Sequence, residues 1–301
     1  MGQLLQCVPN FSEGRDPAFR CELQNVFERF PVKVLDLSMD ADHNRADCTF
    51  LGAPTVVEEC AAALCARAVE LIDMRTHTGS HPRMGAVDVV PFVPIRSLTM
   101  EDAVEIARRF GKGFAQRHAV PVFFYEEACT SEGRRNLADV RRGEYEGMPA
   151  KLEDPGWAVD AGPQAFNERS GVTAVGARMP LIAFNVNLGT DDLATAKAIA
   201  AAVRHSSGGL RYVKAMGLEV ADRGLVQVSM NLVDYRRTPI HRVLELVRSE
   251  AARYGVSVRE CELVGMAPLE ALTEAVGYYL QIPGFDSEKV IEHYLLDEDE
   301  S

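Results

Sequence analysis

From Leu181 to Val264 the chain reads as a fixed succession of short apolar strands and longer amphipathic helices. That succession limits the possible folds more than any other feature. Leu181 to Leu188 is a predicted strand, and Asp191 opens a helix that stops near Ser206-Ser207-Gly208-Gly209, where paired glycines favour a helix end. Two strands follow, Arg211 to Glu219 and Leu225 to Val233, joined by a turn at Asp222-Arg223-Gly224. Pro239 to Tyr254 is a helix closed by Gly255, and Val256 to Val264 returns to a strand. The order β-α-β-β-α-β is the split βαβ, or ferredoxin-like, arrangement. A last helix is predicted from Pro268 to about Leu280. Helices over an antiparallel-rich sheet make a two-layer sandwich whose other sheet face lacks a helical cover.

The first half has a similar order. Leu4 to Phe11 is strand-like, and Asp16-Pro17 supplies an N-cap and a first-turn proline. Phe19, Leu23, Val26, Phe27 and Phe30 then recur at helical spacing as one buried stripe. Val32 to Leu37 and Cys48 to Leu51 are predicted strands. Pro54 to Met74 is a helix with Val57, Ala61, Leu64, Ala68 and Leu71 inward. Val87 to Val93 is a strand, Thr99 caps a helix to about His118, and Val120 to Tyr125 closes the run. Residues 131–161 are polar and irregular, with a short helix near Arg134 to Arg142. The expected class is α+β, with two subdomains, each a mixed sheet with helices on one face. Two half-covered sheets meeting face to face would leave a ligand site between them. The expected boundaries are 1–177, 178–297 and a solvated acidic tail at 298–301.

Composition narrows the function. Of the 301 residues 47% are hydrophobic and 25% charged, as in a globular protein. The net charge of −12 argues against nucleic acid, because phosphate binding needs a basic face. A few arginines gathered in one cleft would still hold a small carboxylate. The seven cysteines form no CxxC pair and several sit in apolar runs, so they read as reduced and buried. No run of about 18 apolar residues is present, and the start has no signal-peptide pattern. A cytoplasmic protein is expected.

Three stretches look like neither core nor ordinary turn. They are Cys7 to Gly14, Thr76 to Asp88, and Gly162 through Arg178 to Asn187. In the second, His81 precedes proline, which biases its backbone to an extended shape. Gly79 and Gly85 permit sharp turns and close approach. A polar connector with solvated histidines is the competing reading. His77 and His81 are spaced as zinc ligands on a helix would be, but Gly79 and Pro82 oppose a continuous helix and no HExxH is present. No metal is expected. His43, His118, His205, His241 and His293 stand singly and read as surface or capping residues.

CVPNFSEG near the start, DADHNR at 40–45, HPRMGAVDVVPF at 81–92, GPQ at 162–164, TAVGAR at 173–178 and LIAFNVNL at 181–188 resemble glutamate formimidoyltransferases, also called formiminotransferases. The resemblance implies two α/β subdomains across a folate-binding tunnel, a homodimer, and the stand-alone form without a cyclodeaminase domain. It implies transfer of a formimino group from N-formimino-L-glutamate to tetrahydrofolate as co-substrate, in histidine degradation. It identifies His81 as the active-site histidine. The folate segment corresponds to Gly162, Pro163, Gln164, Ala165, Phe166, Asn167, Glu168, Arg169, Ser170 and Gly171. An aspartate linked to catalysis in animal members matches Ser38 here, so Asp40, with Asp42 nearby, is the candidate carboxylate.

The chemistry agrees. An attacking amine nitrogen must lose a proton and a departing one must gain one, and histidine titrates in the right range. A carboxylate (Asp40, Asp42 or Glu13) would favour the protonated amidine. Arg45, Arg83 and Arg178 are candidate forks for glutamate's carboxylates. Asn10, Asn185 and Asn187 are candidate contacts to substrate, with backbone bonding as the competing role. Rival readings are a formyl transferase using N-formylglutamate, a folate-binding protein with little catalysis, and a metal-dependent hydrolase. Detecting the product with each donor, and activity after chelation, would separate them.

Overall fold

In the computed structural model, which describes residues 2–220 and 223–295, the chain divides into two compact units, residues 2–178 and residues from 179 on.

The first unit is built on one mixed seven-stranded sheet. Its opening strand breaks in two, β1 (Leu4–Cys7) and β2 (Asn10–Phe11), rather than running through. Pro9 has no N–H for the ladder, and its carbonyl instead accepts from Cys48 N. Helix α1 (Pro17–Phe27) starts as predicted, with the Asp16 side chain accepting from Ala18 N. Strands β3 (Lys33–Asp40) and β4 (Arg45–Gly52) are longer than expected and form a hairpin. The turn of that hairpin lies inside DADHNR.

Helix α2 (Pro54–Leu71) leads to β5 (Val87–Arg96), and α3 (Met100–His118) to β6 (Val122–Glu126). Thr99 and Asp102 form a capping box on α3. Leu71, expected inward, is exposed at the end of α2, and Ile72 is buried in its place. Helices α4 (Leu137–Arg141) and α5 (Glu144–Glu153) precede β7 (Thr173–Ala177). Strand order runs β3-β4, then β1 and β2 end to end, then β5-β7-β6; β7 is parallel to both neighbours and the other pairs are antiparallel.

Helices α1, α2 and α3 cover one face around Phe11, Leu23, Phe50, Leu64 and Phe92. The other face is not bare. Val89, Phe123, Tyr125 and Ala174 pack there against Val140, Met148 and Leu152 of α4 and α5. The expectation of helices on one face alone therefore fails here, because the polar stretch 131–161 keeps just enough apolar side chains to cover the sheet. Strand β5 is consequently a continuous buried run rather than an alternating one.

In the second unit the order is β8 (Ile182–Leu188), α6 (Leu193–Val203), β9 (Val213–Val220), β10 (Leu225–Leu232), α7 (Ile240–Arg253) and β11 (Val258–Val264). All strand pairs are antiparallel, in the order β11-β8-β10-β9, and this sheet is separate from the first. Helix α6 is capped by Asp192, one residue beyond the expected Asp191. Helix α8 (Leu269–Tyr279) packs on α7, where Tyr278 stacks on His241 at 4.4 Å. Ile182, Phe184, Val186 and Leu188 enter the core, so Asn185 and Asn187 lie on the opposite sheet face. Asp222 of the predicted turn and the predicted acidic tail at 298–301 lie outside the described residues.

All seven cysteines are unpaired. Cys7, Cys48, Cys60 and Cys65 are buried, but Cys21 and Cys261 are exposed, against the expectation of burial.

Candidate active site

The β3–β4 turn is where the sequence motifs converge, and Asn44 joins them. Its Oδ1 accepts from Gly14 N at 2.9 Å, and its Nδ2 donates to the Thr78 carbonyl at 2.9 Å. Asn44 is buried with φ of 50°, the left-handed region that asparagine tolerates better than most residues. Ser80 Oγ donates to Asp42 O at 3.1 Å, and Arg15 Nε to Ala41 O at 2.8 Å. Gly79 presses on the same turn: a Cβ there would stand 2.3 Å from the His43 carbonyl oxygen. Loops from two distant parts of the chain are thus sewn to one four-residue turn.

A small pocket of about 10 Å³ opens at this junction, lined by Phe11, Ser12, His43, Asn44, Arg45, His77, His81, Arg83 and Asp88. His81 lies on it. Its pKa is lowered to about 4, first by desolvation and then by the positive charges of Arg45 and Arg141, against the opposing pull of Asp88. The imidazole is therefore neutral at neutral pH, which is the form that accepts a proton.

His77 is a different kind of residue. Its Nε2 lies 3.0 Å from the Asn44 carbonyl oxygen, which can only accept, so Nε2 carries the hydrogen. Its Nδ1 accepts from Arg83 Nε at 3.3 Å. With both ring nitrogens in use, His77 has none left for a metal. Among the described residues no group of three His, Cys, Asp or Glu side chains is placed to hold one.

Several side chains singled out from sequence are committed to the protein itself. Arg83 is buried and forks onto Glu146 at 2.6 and 2.8 Å, with Glu144 at 3.3 Å, so it is not open to a substrate carboxylate. Asn10 accepts from Arg45 Nε at 3.0 Å and donates to Val8 O, which steadies Arg45 at the pocket wall. Asp40 does not meet His81. Its Oδ2 lies 2.8 Å from His43 Nδ1, and its Oδ1 accepts from His43 N. Glu13 caps the start of α1 through Arg15 N and Asp16 N. The carboxylate that does line the pocket is Asp88, buried, accepting from Met84 N and paired with Arg141.

The segment 162–171 runs to the same region. Ala86 N donates to Ser170 O, and Gly85 bridges to Gly171, whose φ of 69° and close neighbour Met84 O leave no room for a side chain. Gln164 folds back onto Leu152 O and Val159 N, Asn167 onto Ala119 O, and Arg169 onto Asp73 and Glu70 O. Phe166 lies against Tyr145 at 5.2 Å, and the Tyr145 hydroxyl bonds Glu168 O. Gly162, Ala165 and Glu168 remain exposed, with Pro163 partly so. Most of the polar side chains here hold the loop's shape.

Arg178, at the end of β7, does not line this pocket. In the second unit Asn185 donates to Glu262 and Asn187 to Glu260, while Gln227 donates to Asn187 Oδ1 at 2.9 Å. His43 is exposed, as expected of a histidine standing singly, and also lines the pocket; Asn44 lines it too and was not singled out from sequence. Asn44 and His43 stood within a quoted motif, but nothing in their spacing told that the turn would fold over His81.

Comparison with known proteins gives the family. The family model described as "Formiminotransferase domain, N-terminal subdomain" matches residues 4–178, and "Formiminotransferase domain" matches residues 183–293. A glutamate formimidoyltransferase of Streptococcus pyogenes serotype M1 is 45% identical over 98% of this chain and 100% of its own length. One from Thermoplasma acidophilum is 43% identical over 96% of each chain. A formimidoyltransferase-cyclodeaminase of Dictyostelium discoideum is 41% identical over 93% of this chain, which spans 53% of that protein. This chain belongs to the formiminotransferase family.

Proposed function

We infer that the protein is a glutamate formimidoyltransferase. It moves the formimino group of N-formimino-L-glutamate to tetrahydrofolate, giving 5-formiminotetrahydrofolate and L-glutamate, a step of histidine degradation. The observation that carries this reading is the 45% identity, over 98% of the chain, to a protein of that name. It is supported by a desolvated, neutral His81 on a pocket rimmed by Arg45 and Asp88.

His81 accepts the proton that the attacking nitrogen loses as it bonds to the amidine carbon. Asp88, the carboxylate at the wall, favours the protonated amidine, and Arg45 faces a carboxylate of the glutamate moiety. The loop 162–171 receives the folate through its backbone. Tetrahydrofolate is a co-substrate, and no step needs a metal.

The finer architecture belongs to the same proposal: a ferredoxin-like second subdomain, boundaries at 1–177 and 178–297, sheets facing across a folate tunnel, and Arg178, Asn185 and Asn187 turned to substrate. So do a homodimer and a cytoplasmic setting. The free cysteines support a reducing compartment, and among the described residues no helix is long and apolar enough to cross a membrane.

The test is product formation by the purified protein with tetrahydrofolate and either N-formimino- or N-formylglutamate, before and after chelation. Transfer from the formimino donor, unaffected by chelator, is expected. Preference for the formyl donor, or hydrolysis without transfer, would overturn the reading.

A further inference from the structure

We propose that His43 is a second proton-transfer residue of this site, facing the reacting carbon together with His81 and held in place by Asp40. The inference rests on the formimino-transfer reading and deepens it.

Four observations carry it. His43 and His81 line the same pocket. Their rings meet edge to face, with centroids 6.0 Å apart and planes at 85°. The Asp40 carboxylate receives both the backbone N–H and the Nδ1 of His43, each at 2.8 Å. The turn carrying His43 is fastened on every side, by Asn44 to Gly14 and Thr78 and by Asp42 to Ser80. A carboxylate that bonds Nδ1 fixes the tautomer and leaves Nε2 as the nitrogen that exchanges protons. This is the carboxylate–imidazole logic of a positioned acid–base pair. Asp40 itself stays ionised, its pKa lowered first by the His43 backbone N–H and next by the ring. The other charged groups at the pocket are Arg45, Arg83 and Asp88, and His77 has both ring nitrogens engaged.

The reaction has work for two such groups, because the nitrogen that loses a proton and the nitrogen that gains one sit on different sides of one tetrahedral carbon. The attacking nitrogen bonds to the carbon of the protonated amidine, whose C=N pair moves onto the imino nitrogen. His81 takes the proton from the attacking nitrogen. Protonated His43 gives a proton to the glutamate nitrogen, the C–N bond breaks with its electron pair on that nitrogen, and the remaining NH₂ re-forms the C=N bond. His81 ends protonated and His43 neutral, and exchange with water restores both. Two rings at a fixed angle serve both nitrogens without turning an imidazole between them.

The experiment uses the full chain with His43→Gln and, separately, Asp40→Asn. Transfer is measured from N-formiminoglutamate and from an aryl formimidate, whose phenoxide leaves without prior protonation. For His43→Gln, kcat with formiminoglutamate should fall by about 10²- to 10⁴-fold, while turnover of the aryl formimidate stays near that of the wild type. The alkaline limb of the pH–rate profile, where a required acid loses its proton, should disappear. Asp40→Asn should cause a smaller loss of the same donor-dependent kind, and folate affinity should hold within about twofold of the wild type in both. Equal losses with both donors would assign His43 a structural role and overturn the proposal. Wild-type turnover by His43→Gln would also overturn it while leaving the transferase reading intact. A wild-type protein that moves no formimino group would sink that reading and this one together.

Discussion

The imidazole of His77 donates to the carbonyl of Asn44 across 3.0 Å, tying the loop that carries His81 to the β3–β4 turn thirty-three residues earlier in the chain. Because the other ring nitrogen accepts from Arg83, His77 is spent on holding the loop. Of the two histidines in that loop, His81 is the one available for chemistry.

His81→Ala should therefore keep the fold and folate affinity while kcat falls by about 10²- to 10⁴-fold, the usual contribution of one positioned proton-transfer group. Steady-state kinetics beside folate titration checks this. Equal loss of affinity and rate would show that the ring binds rather than reacts.

The pH dependence follows from the lowered pKa. His81 titrates at about 4 in the folded chain and near 6.5 in an unfolded one. As pH falls through that window the unfolded chain takes up a proton that the folded chain refuses, so His81 lowers stability in acid and leaves it untouched above. The acid limb that His81 contributes to kcat/KM should lie near 4, well below the range of ordinary histidine. Arg45→Gln removes a positive charge beside the ring and should move that limb upward; a limb that does not move would show that Arg45 exerts no field on His81.

Arg83→Lys should act on stability rather than on folate binding. Lysine cannot reproduce the fork onto Glu146 or the contact to His77. A loss of about 1.5–3 kcal/mol is expected for a charged hydrogen-bonded pair of this kind. Denaturant titration and folate binding on the same variant check it, and a large affinity loss with unchanged stability would return Arg83 to the substrate.

Gly79→Ala should cost activity out of proportion to its size. The added methyl would meet the His43 carbonyl 2.3 Å away, so the two loops must separate and His43 and His81 lose their mutual placement. The core of the first unit does not include Gly79, so circular dichroism should match the wild type while turnover drops. Retained turnover would mean that the loops do not need this close approach.

Much of the element order was written in local patterns. The stripe Phe19, Leu23, Val26 and Phe27, the caps at Asp16 and Thr99, and the strand–helix alternation from 182 to 264 each depend on residues a few positions apart. Strand β7 escaped notice because Thr173 to Ala177 is short and small, which suits a strand buried on both faces between parallel neighbours. The second cover, α4 and α5, hid in a polar stretch because only Val140, Met148 and Leu152 carry its packing.

For the site, the sequence by itself was enough to single out His81, the DADHNR turn and the segment 162–171, since their residue types and order carry the family resemblance. Which of their side chains are engaged within the protein was decided only by the tertiary structure. Hydrogen-bond partners lie thirty or more residues apart: Arg83 was claimed by Glu146, His77 by Asn44, and Arg141 by Asp88. Buried polar groups must be paired, and the pairing depends on which loops the sheet brings together, a distance that no local pattern encodes.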